Sequence, residues 1–122
     1  MIYAIGVERL SEQSLLILAA LADQPRHGYG LVAEVSAMSA GRVQLRASTL
    51  YAALERLAGR GLVVPDRDEV DNGRLRRYYR LTDAGADALA EEARRMAAEA
   101  RAVRRRLELR SRQAPRPLDT VG

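Results

Sequence analysis

Residues 46–61, Arg-Ala-Ser-Thr-Leu-Tyr-Ala-Ala-Leu-Glu-Arg-Leu-Ala-Gly-Arg-Gly, constrain the fold more than any other stretch of the chain. Leu50, Leu54 and Leu57 recur at i, i+4 and i+7, which makes a short helix with one apolar stripe. Ser48 or Thr49 is placed to cap its start, and Gly61 suits the left-handed residue just past a helix end. The opposite face presents Ser48, Thr49, Ala52, Glu55 and Arg56, with Tyr51 on its flank and Arg60 at its end. Slim hydrogen-bonding groups come first and guanidinium groups after. A helix that enters the major groove needs that order, because its first residues must reach base edges while arginine and first-turn amides hold phosphates. An ordinary amphipathic helix with a solvated polar face reads equally well from these residues alone.

The residues C-terminal to this helix shift the balance. Leu62-Val63-Val64 is β-prone, residues 66–71 read as a polar loop, Asn72-Gly73 is a strong hairpin turn signal, and residues 74–81 alternate as a strand. On that strand Arg74, Arg76, Tyr78 and Arg80 share one face, while Leu75, Arg77, Tyr79 and Leu81 share the other. A hairpin with a basic face next to a polar helix is a wing. A solvated edge strand would explain arginine on an outer face, but less well four arginines in residues 74–80 directly after a helix bearing Arg56 and Arg60. Ahead of the helix, Ser11 caps a first helix to about Ala22, with Leu10 and Leu15 placed as a hydrophobic staple. A second helix opens at His27-Gly28-Tyr29-Gly30 and runs to about Ser39, and Val43-Gln44-Leu45 reads as a short strand. His27 beside a helix start is assigned to capping or packing, not catalysis. Residues 1–7 are too apolar for a free tail and are expected to pack. Two helices joined by a short link, the second polar outside, form a helix-turn-helix.

Composition narrows the chemistry. The chain has 122 residues and a formal net charge of +4, all of its 20 basic residues are Arg, and it has no Cys and one His. Disulfides, thiol catalysis and zinc-thiolate sites are excluded, and no carboxylates converge beside a Gly-rich cradle, so an enzyme is the poorest candidate. No cofactor or metal is expected; acidic residues Asp66, Asp68, Glu69 and Asp71 in a hairpin read as solvated rather than as a cation site. No long apolar run or secretion signal is present, so a cytoplasmic protein without membrane contact is expected. The last long stretch, from Thr82 to about Ser111, carries Leu89, Ala93, Met96, Ala100, Val103 and Leu107 at spacings of 4, 3, 4, 3 and 4, the pattern of a coiled-coil seam. It is expected to pair with a second copy. From Gln113 onward, proline and polar residues read as a disordered tail.

The residues His27-Gly28-Tyr29-Gly30, the run from Ser48 through Leu57 with Gly61-Leu62 after it, and Gly73-Arg74 through Arg77-Tyr78-Tyr79-Arg80-Leu81-Thr82 with Gly85 resemble the PadR-type winged-helix transcriptional regulators. The short form with a single C-terminal helix fits best. The resemblance covers about residues 10–85, and departs from the family where Gly often precedes Thr-Leu-Tyr and Pro comes after it; Ser48 and Ala52 stand there. It implies a homodimer binding an inverted-repeat operator in double-stranded DNA, usually as a repressor, often released by a small-molecule effector between the subunits. By position, Ser48, Thr49 and Tyr51 would contact bases or phosphates, and Arg74, Arg76 and Arg77 would belong to the wing. Leu15, Ala93, Met96 and Ala97 are the positions corresponding to the effector pocket.

The expected protein is mainly α with a small β-hairpin wing: a winged helix-turn-helix domain over residues 1–81, a dimerisation helix over 82–112 and a tail over 113–122. Its expected function is sequence-specific DNA binding through Ser48, Thr49, Tyr51, Ala52, Arg56, Arg74, Arg76 and Arg77. The alternative is a winged-helix protein-interaction module that does not bind DNA specifically.

Overall fold

The computed structural model describes residues 9–113. Expectations for residues 1–7 and for the tail after Gln113 lie outside the described residues. Four helices and a three-stranded antiparallel sheet run in the order α1 (Glu12–Ala20), β1 (Arg26–His27), α2 (Gly28–Met38), α3 (Ala47–Gly59), β2 (Val63–Asp71), β3 (Arg74–Leu81) and α4 (Asp83–Gln113). Two compact units divide within α4, Met1–Glu92 and Ala93–Gly122.

The core of the first unit sits among α1, α2 and α3. Ile17, Leu18, Leu31, Val35, Leu50, Leu54, Leu57 and Val63 are wholly buried there, so the leucine stripe of residues 46–61 does face inward. The first two helix starts are set locally. Ser11 Oγ accepts the Ser14 N–H at 3.1 Å and caps α1, and His27 Nδ1 accepts the Gly30 N–H at 3.2 Å and caps α2. The end of α3 is a left-handed cap: Gly61 has φ +77°, its N–H donates to Ala58 O at 2.9 Å, and the Leu62 N–H donates to Leu57 O at 2.9 Å.

The start of α3 differs from expectation. The helix begins one residue before Ser48, Arg46 is its N-cap, and no side chain accepts from its first turn. Neither Ser48 nor Thr49 caps, because both already lie inside the helix.

The wing differs as well. Residues 66–71 are not a loop but most of β2, paired with β3 as Asp68↔Arg77, Glu69↔Arg76, Val70↔Leu75 and Asp71↔Arg74. Only Asn72 and Gly73 turn the chain, both at positive φ, 52° and 76°, as a two-residue hairpin of the favoured twist requires. The register slips by one between Pro65 and Arg67, leaving Asp66 as a bulge. Were Asp66 paired instead, with no slip beyond Pro65↔Tyr79, Arg67 would stand opposite Arg77; with the slip, opposite charges face each other along the tip. Val43-Gln44-Leu45 is not a strand. The third strand is Arg26–His27, which pairs with Tyr79 and Tyr78 and gives the sheet order β1-β3-β2.

One joint closes the unit. Thr82 Oγ1 donates to Gly61 O at 2.7 Å and accepts the Gly85 N–H at 2.9 Å, while the Thr82 N–H donates to Leu62 O at 3.1 Å. Thr82 therefore caps α4 and ties it to the end of α3. A Cβ on Gly85 would run into the Leu62 carbonyl oxygen and lie 2.7 Å from Leu81 Cδ1. Ahead of α1, Arg9 forks onto the buried Glu92 of α4 at 2.7 and 3.2 Å, which satisfies a carboxylate that burial alone would penalise.

Candidate nucleic-acid interface

The outer face of α3 is open from end to end. Ala47, Ser48, Thr49, Tyr51, Ala52, Glu55 and Arg56 are all exposed. Because no side chain caps the helix, the N–H groups of its first turn remain available to an outside acceptor, and they carry the positive end of the helix dipole. Helical periodicity places Ala47 and Tyr51 on one flank of this face and Thr49 and Arg56 on the other.

The Tyr51 flank meets the wing. A cleft of about 190 Å³ is lined by His27, Gly28, Tyr29 and Val32 of the second helix and its cap, Ala47, Leu50 and Tyr51 of α3, and residues 74–77 of β3. The Tyr51 hydroxyl lies where a side chain on Gly28 would go; a Cβ there would also stand 2.9 Å from Tyr51 Cζ. Gly28 thus makes room for Tyr51, which explains the glycine of the His-Gly-Tyr-Gly motif. Tyr29 is 75% exposed, and the Arg76 guanidinium stands 5.6 Å from its ring centroid. Tyr51, Arg74, Arg76 and Arg77 are therefore brought together around one cleft. Arg56 is not among them: it opens onto a separate hollow with Arg9, Ser11, Ser14, Leu57 and Arg60. Ser48, Thr49 and Ala52 lie on the exposed helix surface outside the residues lining either hollow.

The wing carries less free charge than its arginines suggest. Arg77 Nε donates to Asp68 Oδ1 at 3.1 Å, Arg76 Nε lies 3.4 Å from Asp71, Arg80 Nε lies 3.5 Å from Asp66, and Arg67 reaches Asp66 and Glu69 at 2.8 and 2.6 Å. Arg67 also stacks 4.0 Å above the Tyr78 ring, and Tyr78 meets His27 edge to face at 5.1 Å. Arg74, at the hairpin turn, has no ion pair among the described residues. The carboxylates of residues 66–71 are spent on these pairs, and no cluster of metal-ligating side chains forms among the described residues.

Tyr29 was not anticipated by the sequence pattern, although an exposed aromatic is unusual in a chain whose only aromatics are five tyrosines. Arg46 was likewise not singled out, and it is exposed at the first turn of α3.

Burial, and then the nearby Arg76 guanidinium, hold the His27 imidazole below its ordinary value of 6.5. The unfolded chain therefore binds this proton more readily than the folded one. The cap is fully present above about pH 6.5 and is lost as the pH falls through the lower, folded value. The unfolding free energy from urea titration should decline between pH 7.5 and 5. In His27→Asn, which caps without titrating, that decline should shrink; an unchanged decline would assign it to other groups.

Comparison with known proteins decides the family. The model of the Transcriptional regulator PadR-like family matches residues 17–91. The chain belongs to this family. The transcriptional regulator Rv3488 of Mycobacterium tuberculosis is 42% identical to it over 89 residues, 73% of this chain and 79% of that one. An uncharacterized 37.1 kDa protein in transposon TN4556 of Streptomyces fradiae is 40% identical over 89 residues, and the match spans only 24% of its length. Among solved structures, a PadR family transcription regulator from Clostridium difficile R20291 superposes with a TM-score of 0.67 at 23% identity, covering 80% of this chain and 99% of that one. PadR of Bacillus subtilis, solved in complex with operator DNA, gives a TM-score of 0.58 at 21% identity over 66% of this chain and 46% of that one. The PadR winged-helix fold, including a long C-terminal helix, is thus shared, and PadR proteins are regulators of transcription rather than enzymes. None of the described helices is long and apolar enough to cross a membrane.

Proposed function

We propose that this PadR-family protein is a sequence-specific DNA-binding repressor that holds an inverted-repeat operator as a homodimer. The observation that carries the reading is the open polar face of α3, uncapped at its start and flanked by the Tyr51 cleft. Ser48, Thr49 and Ala52 are slim enough for base edges in the major groove. Tyr29, Tyr51, Arg74 and Arg76 surround a space that fits a backbone phosphate, with Arg56 reaching the other strand's side of the helix. The operator complex of the Bacillus subtilis relative supports this use of the fold. Two copies paired along α4, through Ala93, Met96, Ala100, Val103 and Leu107, would offer two such helices to half-sites about 34 to 36 Å apart. Release by a small-molecule effector completes the reading, and titrating planar apolar compounds onto a preformed operator complex tests it.

The direct test is fluorescence anisotropy with duplexes from the region upstream of the protein's own reading frame, against a shuffled duplex, over a salt series. Preference for the native duplex that weakens with salt supports the reading; no binding to either at low salt removes it and favours a protein-interaction module. Arg74→Ala should weaken binding to all duplexes, of order tenfold near 0.1 M salt, and lower the slope of log affinity against log salt by about 1. The interaction-module reading requires instead that Arg74→Ala and Arg56→Ala change nothing on DNA.

A further inference from the structure

The wing separates its charges by strand. Between Val63 and Leu81 all four carboxylates lie on β2, and four of the five arginines lie on β3, so the hairpin carries a net charge of only +1. The pairs that result are exposed, and exposed pairs add little to stability. Their geometry has another use. In both the Asp68–Arg77 and the Asp66–Arg80 pair, the arginine atom nearest the carboxylate is Nε, at 3.1 and 3.5 Å. Nε lies on the side of the guanidinium, so the Nη end remains open to a second acceptor.

We infer that Asp66 and Asp68 are specificity determinants of the wing, confining Arg80 and Arg77 to DNA contacts made at hydrogen-bonding distance. This rests on the DNA-binding reading above. A lone guanidinium attracts phosphate as a point charge over a Debye length, about 8 to 10 Å in ordinary salt. A guanidinium beside a carboxylate attracts as a dipole, whose field falls faster with distance. At contact the difference narrows, because the Nη groups still donate to a phosphate and, for Arg77, the carboxylate that accepts from Nε holds the fork in place. Binding without register depends on the long-range attraction, whereas a seated complex depends on contacts. Cancelling charge at a distance therefore weakens the wrong complex more than the right one, and discrimination is that difference.

The test compares the full-length protein with Asp66→Asn, Asp68→Asn and the double variant, on the native upstream duplex and a shuffled one from about 50 to 200 mM salt. Each substitution should tighten binding to the shuffled duplex by about eightfold near 0.1 M salt and steepen its salt slope by about 0.9, the effect of one added phosphate contact. Binding to the native duplex should change about twofold or less, so the ratio of the two affinities falls. An equal gain on both duplexes, or no gain on the shuffled one, overturns the proposal. Asp68→Asn combined with Arg77→Gln restores the wing's charge and should return shuffled binding to the wild-type level. Wild-type protein that does not prefer the native duplex would instead count against the DNA-binding reading, and this shows before any variant is made. Immobilised heparin gives an independent answer: it offers anions without register, so the Asn variants should elute at higher salt, and unchanged elution overturns the proposal whatever the operator does.

Discussion

Replacing Val103 and Leu107 together by glutamate is expected to leave the protein monomeric and to weaken operator binding by about a hundredfold or more. From Ala93 onward the seam residues of α4 are open among the described residues: Met96, Val103 and Leu107 are 46, 58 and 57% exposed, and Ala93, Ala97 and Ala100 are exposed with them. Leu89, expected in the same seam, packs partly on the core of the first unit, so the free seam begins after it. Apolar side chains repeated at three and four residues on an otherwise charged helix are stabilised by pairing with another helix of the same kind. Glutamate at two adjacent seam positions would set like charges against each other across a two-fold axis, yet glutamate is a good helix former, so the helix itself should persist. Loss of the dimer removes the second half-site, and with it the effective-concentration gain that links two modest contacts into one tight one. Light scattering coupled to size exclusion, circular dichroism and anisotropy on the operator would report the three effects separately. A dimer that survives the double substitution would place the interface elsewhere.

Gly85→Ala is expected to be the most damaging single methyl in the first unit. The added carbon would collide with the Leu62 carbonyl oxygen and crowd Leu81. That carbonyl cannot step aside cheaply, since it accepts the Thr82 N–H, and Leu62 in turn closes the α3 cap through Leu57. Overpacking of this kind costs about 1 to 3 kcal/mol, and for a unit of this size each kcal/mol lowers Tm by roughly 4 to 8 °C. A fall in Tm of about 10 °C is the expected result by calorimetry. Gly59→Ala is the control: nothing lies within 4 Å of a Cβ at that position, and its φ is not in the positive range. Stability there should rise slightly, as for alanine replacing glycine in an exposed helix.

The sequence made some elements plain and hid others for physical reasons. The stripe of Leu50, Leu54 and Leu57, the caps at Ser11, His27 and Thr82, and the Asn72-Gly73 turn are local signals, each contained within a few residues. Residues 66–71 are different. Asp-Arg-Asp-Glu-Val-Asp has poor strand propensity and no apolar face; it becomes a strand because β3 offers arginines opposite its carboxylates, a fact that depends on the bulge at Asp66 and on register. Arg26–His27 is too short for any periodicity to register and exists as a strand only because Tyr78 and Tyr79 are there to pair with it. The same limit applied to the interface. Exposure of the α3 face was legible from helical spacing, but the gathering of Tyr29, Tyr51 and the wing arginines around one cleft requires the packing of Gly28 against Tyr51, and the pairing of the arginines requires the strand register.

The order β1-β3-β2 leaves β2 with an open side. An unpaired strand edge is a template on which a second chain can stack, and proteins that work crowded together must discourage it. Here the edge carries a proline at 65, a bulge at 66 and carboxylates at 66, 68, 69 and 71. The donor missing at proline and the bulge interrupt the row of hydrogen-bonding groups that a second strand would need. Strand addition along this rim is thereby discouraged, and the hairpin stays a single, unextended wing.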